Sequence, residues 1–158
     1  MKATFVTLTL IAALFALLLS GIAPAQAQER LISRNIQVEQ GQLLIGGKIV
    51  RLYGIHFPTQ PGICSKDLNG CRDLGLEALT EWLAGAGPVE CEILGVTRSE
   101  THVARCQRDE IDLGAWLIGH GYALVDRRGG RAYLPHQQAA RSESAGLWRG
   151  DWALVRDR

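Results

Sequence analysis

Val50-Arg51-Leu52-Tyr53-Gly54-Ile55-His56-Phe57-Pro58-Thr59-Gln60 is the stretch on which the reading of this chain turns. Lys48 to His56 is rich in β-branched and aromatic residues, the types that pack well on a pleated surface. Just before it, Ile32 to Ile45 alternates apolar and polar positions, and Gly46-Gly47 is a tight-turn dipeptide. The two segments predict a hairpin entering a sheet. Phe57 to Asn69 carries Pro58, Pro61 and Gly62 and reads as a loop.

Beyond that loop, Arg72 to Ala84 predicts a helix, with Leu76, Leu79 and Leu83 recurring at helical spacing and Gly85 to Pro88 stopping it. Val89 to Gly95 and His102 to Gln107 have strand character around a polar hairpin loop, Val96 to Thr101. A second helix is expected from the N-cap Asp112 to Gly121, followed by an extended Tyr122 to Val125 and a charged loop, Asp126 to Arg131. A third begins near Pro135 and ends near Ala145, with Gly146 as its cap. Strands grouped together with helices set aside predict an α+β domain. Trp82, Trp116 and Trp148 fall at core spacings.

The ends of the chain speak to compartment. Lys2, the apolar run Leu8 to Leu19, the breaker Pro24 and Ala25-Gln26-Ala27 predict a signal peptide over 1–27. The run is shorter than the roughly 20 residues of a membrane span, and no second one follows. The expected mature protein is thus secreted or periplasmic, without a membrane anchor and monomeric. It comprises one domain, 28–150, and a short tail, 151–158. Lys2 is the only charged residue before Glu29, so the mature chain carries sixteen basic and sixteen acidic residues. That balance weighs against a large nucleic-acid footprint. Cys64, Cys71, Cys91 and Cys106 read as two disulfides in an oxidising compartment, and spacing alone leaves three pairings open. A zinc site is disfavoured, since no C-x-x-C pair exists.

Several motifs, in order, resemble the staphylococcal-nuclease-like (thermonuclease) family. Val50 to Gln60 resembles its I-R-L-x-G-I-D-x-P-E signature. Gly75-Leu76-Glu77-Ala78 is similar to the start of its first helix, and Val103-Ala104-Arg105-Cys106 to its next strand. Asp112 to Leu117, Gly121-Tyr122-Ala123, Ala139-Ala140-Arg141 and Gly146-Leu147-Trp148 are similar to the later helices and the closing G-[LI]-W. The resemblance implies a five-stranded OB-fold-type barrel with three helices, a fold that binds oligonucleotides or oligosaccharides. It further implies the pairings Cys64–Cys71 and Cys91–Cys106.

The same resemblance implies a changed site. Active relatives use two arginines, a calcium ion between aspartates and a general-base glutamate. Arg51 matches the first arginine. His56 and Gly41 stand where the calcium aspartates would be, Thr59 in place of the glutamate, and Thr101 in place of the second arginine. Imidazole is a poor calcium ligand, and a threonine hydroxyl is no base at neutral pH. The expectation is a pseudo-enzyme with no cofactor. The alternative is an active nuclease using a rearranged site around Arg51, with His56, Arg98 or His102 recruited. A transition-metal site from His56, Glu39 and His102 is disfavoured; so are ligand roles for His120, near a helix end, and the surface residue His136. Arg127, Arg128 and Arg131, with Tyr133 beside them, form a candidate anion-binding rim for nucleic acid or an anionic saccharide. A third expectation is a partner protein in envelope polysaccharide synthesis or export.

Overall fold

A computed structural model describes residues 28–58 and 70–149. The segment 1–27, Thr59, the Cys64–Cys71 pairing and the tail 151–158 lie outside the described residues.

The chain forms β1 (Arg30–Ser33), β2 (Ile36–Glu39), β3 (Gln42–Ile45), β4 (Lys48–Leu52) and β5 (Ile55–His56). Helix α1 (Gly70–Ala84) follows, then β6 (Val89–Val96), β7 (His102–Arg108), β8 (Ile111–Asp112) and α2 (Leu113–Gly119). Strand β9 (Leu124–Val125), a 3-10 turn (Gly130–Tyr133), α3 (Leu134–Ser142) and a last 3-10 turn (Gly146–Trp148) complete it. The sheet runs β1-β6-β7-β4-β3-β2, with β8 added to β7 and β5-β9 as a separate pair. The β4–β7 pairing is parallel and the others are antiparallel. Its two outermost strands, β1 and β2, are separated in the chain only by Arg34 and Asn35. The sheet therefore curls back on itself, a mixed α+β arrangement compatible with an OB-like barrel.

The expected single strand from Ile32 to Ile45 is broken twice. Ser33 Oγ accepts from Asn35 N–H and donates to the Asn35 carbonyl, which bends the chain between β1 and β2. Gln40 (φ 51°) and Gly41 (φ 84°) then form a tight turn joining β2 to β3. Two left-handed central residues match the twist of a two-residue hairpin, and Gly46 (φ 57°) and Gly47 (φ 80°) repeat the device between β3 and β4. The sequence marks the first of these turns: Glu39 to Gln42 interrupts the alternation, and the apolar positions shift from Ile36 and Val38 to Leu43 and Ile45, which pair across the hairpin.

Val50, Leu52, Cys91, Ile93, Ala104 and Cys106 point inward and are buried, with Leu79 from α1 and Leu113, Leu117 and Ile118 from α2 closing the core. Cys91 and Cys106 sit directly opposite on β6 and β7 and form the expected disulfide. Closing a loop of about this size is worth ~3 kcal/mol in the chain-entropy account. Helix α1 has no basic residue in its last turn. Arg108 of β7 fills that role: its guanidinium donates to the Trp82 and Leu83 carbonyls and lies 4.4 Å above the Trp82 ring. A cation there satisfies orphan carbonyls and complements the helix dipole.

Candidate functional site

Strand alternation decides which residues of the signature face solvent. On β4, Val50 and Leu52 are buried, so Arg51 and Tyr53 share the outer face. Arg51 is exposed and lies beside Val103 of β7, and its guanidinium has no hydrogen-bond or ion-pair partner among the described residues. Two residues along β7, the Arg105 guanidinium lies 5.7 Å from the centre of the Tyr53 ring. Its Nε is 3.7 Å from Asp112 Oδ2 and its Nη1 is 4.0 Å from Glu92 Oε2. Asp112 is shared three ways. It caps α2 by accepting from Ala115 N–H at 2.8 Å, faces Arg105, and accepts from the Tyr133 hydroxyl at 3.0 Å. Burial pushes the Tyr133 hydroxyl up to about 12, the Asp112 charge adding to this and Arg105 opposing it. Arg105 in turn is raised above its usual range, chiefly by the Tyr133 oxygen and further by Asp112 and Glu92.

The basic loop lies over this face. Asp126 N–H donates to the Gly54 carbonyl at 2.9 Å, and Gly130 N–H returns to the Asp126 carbonyl at 2.7 Å. Gly130 rests on Gly54 and Gly129 on the Tyr53 ring so closely that a Cβ at either would collide. The loop carrying Arg127, Arg128 and Arg131 is thus clamped to the Tyr53–Gly54 end of the strand that carries Arg51. These three arginines are exposed, and Asp126 Oδ1 accepts from Arg128 N–H. Tyr133 is different: it is buried and its hydroxyl is held by Asp112, so its ring is not offered to solvent for stacking.

Among the described residues, the altered positions fall at the β2–β3 turn, on β5 and at the β6–β7 hairpin. Gly41 and Phe57 meet: a Cβ at Gly41 would lie 3.1 Å from Phe57 Cδ2, and one at Gly75 of α1 would lie 2.7 Å from Cδ1 of the same ring. The Phe57 ring, 8% exposed, is therefore packed between the β2–β3 turn and α1. His56 is half-buried on β5, opposite Leu124. Thr101 and Arg98 lie at the β6–β7 hairpin, where Thr101 N–H donates to Thr97 Oγ1 at 3.1 Å. His102 pairs with Val50, not Arg51, and contributes with Lys48, the larger cause, to holding the Glu29 carboxyl below its usual range. Its Nδ1 is buried without a partner among the described residues. Also among the described residues, no three His, Cys, Asp or Glu side chains are arranged to hold a metal, so His56, Glu39 and His102 do not gather.

The structure thus joins Arg51, Tyr53 and the basic loop on one face, and sets Gly41 against Phe57. Sequence reasoning did not single out Arg105 and Glu92, and it read Asp112 only as a cap. The outward positions 103, 105 and 107 of β7 carried the one available signal, a charge on the face that bears Arg51.

No known family profile matches the chain. Over 150 residues it is 31% identical to a succinoglycan biosynthesis protein, ExoI, of Rhizobium meliloti (strain 1021), an alignment taking in 90% of this chain and 76% of that protein. At that identity and coverage, this chain belongs to the same family as the Rhizobium protein.

Proposed function

We propose that this chain is a secreted staphylococcal-nuclease-like barrel of the OB type that has lost phosphodiester hydrolysis and serves as a binding module in exopolysaccharide production. The observation that carries the loss is the Phe57 ring against Gly41. The resemblance asks for carboxylate oxygens around a calcium ion at Gly41 and His56. Glycine offers no side-chain oxygen, imidazole offers nitrogen, and the buried Phe57 ring packs against the turn that holds Gly41. The residues present do not fit that ion. Without it, Arg51 is the one position matching the family's catalytic groups that is left to stabilise the charge that develops on phosphate, a task normally shared by several preorganised groups.

The binding role draws on Arg51 and the rim of Arg127, Arg128 and Arg131, whose guanidinium groups suit carboxylate or phosphate. The biosynthetic setting draws on the relative's name. Secretion draws on the 1–27 segment and agrees with the Cys91–Cys106 disulfide. No helix among the described residues is long and apolar enough to cross a membrane.

A calcium titration followed by amide NMR tests the lost metal site. Millimolar calcium is expected to leave the Gly41, His56 and Phe57 signals unmoved. A saturable shift centred on those three residues would return the chain to the metal-dependent nucleases.

A further inference from the structure

The end of α2, the end of α3 and the segment after it line an open groove of about 680 Å³, bordered on one side by Asp112, a size within the range of small-ligand sites. Its floor is aromatic. The Trp116 and His120 ring centres are 4.6 Å apart, Trp116 and Tyr122 are 5.6 Å apart, and His120 lies nearly parallel to Tyr122 (9°) at 5.9 Å. Glu143 and Arg149 stand exposed at its rim.

This platform is rigid for two reasons. Gly121 (φ 71°) and Gly146 (φ 50°) touch back to back, so closely that a Cβ on either would strike the other segment's backbone, and Leu147 N–H donates to the Gly121 carbonyl at 2.8 Å. The two walls are thereby bolted together. His120 Nδ1–H donates to the Trp116 carbonyl at 2.8 Å, which fixes the ring and leaves Nε2 without a partner among the described residues. Rings held in advance cost little entropy when a ligand arrives.

We propose that this groove binds a segment of saccharide chain. A pyranose lays its apolar C–H face on the aromatic cluster, while hydroxyls engage Glu143, Arg149 and His120 Nε2. Trp and Tyr rings suit such a ligand because they present an apolar body with a polar edge. Single-stranded nucleic acid also stacks on aromatics, but it requires a positive groove that tracks phosphates. Here Glu143 faces the same space as Arg149, so little net positive charge remains.

The proposal deepens the binding role above by giving it a surface. The test is an amide and indole NMR titration of the purified protein with cellotetraose, with tetragalacturonate and with a thymidine oligonucleotide. Either saccharide is expected to move the Trp116 indole and the Gly119, Gly121 and Ser144 amides saturably. Variant H120A should weaken binding about tenfold, the equivalent of ~1.4 kcal/mol, and the exposed-rim variant E143Q, expected to melt like the parent, should also weaken it. The proposal is overturned by silence toward both saccharides, by shifts confined to the Arg51–Arg105 face, by unchanged affinity in both variants, or by groove shifts with the oligonucleotide alone. None of these outcomes bears on the calcium titration, so the loss of hydrolysis stands or falls separately.

Discussion

Replacing Phe57 by alanine probes the packing on which the proposed loss of hydrolysis rests. The ring is wedged between two backbones that cannot follow it. On one side is the Gln40–Gly41 turn, fixed by its left-handed geometry; on the other is Gly75, inside a fifteen-residue helix. Truncation removes most of a buried aromatic side chain and leaves a cavity whose walls have little room to collapse. Phe→Ala changes in cores cost about 3–5 kcal/mol, more where the site stays open, so about 4 kcal/mol is expected here. For a domain of this size, each kcal/mol lowers Tm by about 3–5 °C. The variant should melt about 12–20 °C below the parent in calorimetry and shift the urea midpoint without changing the slope. A loss below about 1.5 kcal/mol would mean that the ring is not packed between Gly41 and Gly75, and would remove the physical ground for the lost calcium site.

Three further outcomes are expected. Variant R108M strips two donors from the last carbonyls of α1 and the cation from Trp82; a loss of about 2–3 kcal/mol is expected from urea unfolding, and a loss under ~0.5 kcal/mol would show that the helix end needs no cap. The double variant C91A/C106A should cost about 3 kcal/mol, an amount that the reduced parent would share; if reduction leaves the parent's stability untouched, the cross-strand bond is not formed. Alkaline titration followed by tyrosinate absorbance should show a step near 12 that Y133F abolishes. The native state holds that proton more tightly than the unfolded chain, whose tyrosines ionise near ~10. The stabilisation is therefore complete below about pH 10 and is lost as pH rises from there through about 12. A titration with no late step would contradict the buried Tyr133–Asp112 bond.

Much of the fold was legible where local chemistry dictates it. Gly46-Gly47 announced a hairpin because both positions need left-handed backbone, and Asp112 announced a helix because its side chain can cap one. The turn at Gln40–Gly41 was legible too, in the break of alternation from Glu39 to Gln42 that moves the apolar positions from Ile36 and Val38 to Leu43 and Ile45, although the single strand expected from Ile32 to Ile45 ran through it. Gly121 and Gly146 each read as a helix stop. That they stop two helices against one another is a tertiary fact with no local signature. The partnership of Cys91 with Cys106 was reached only through the family resemblance, because four cysteines permit three pairings. The site was harder still. Arg51 stood out, but the contacts of Arg105 with Asp112, Glu92 and Tyr53 depend on β6, β7 and β4 being neighbours in the sheet. Tyr133 looked like part of an exposed rim because it adjoins three arginines; the 3-10 turn rotates it inward to Asp112.

The central claim is that the barrel no longer cuts nucleic acid. The direct measurement is release of acid-soluble nucleotides from single-stranded DNA by purified mature protein in millimolar calcium, compared with variant R51A. Both proteins are expected to sit at the level of the buffer control. Calcium-dependent release by the parent that R51A abolishes would contradict the account.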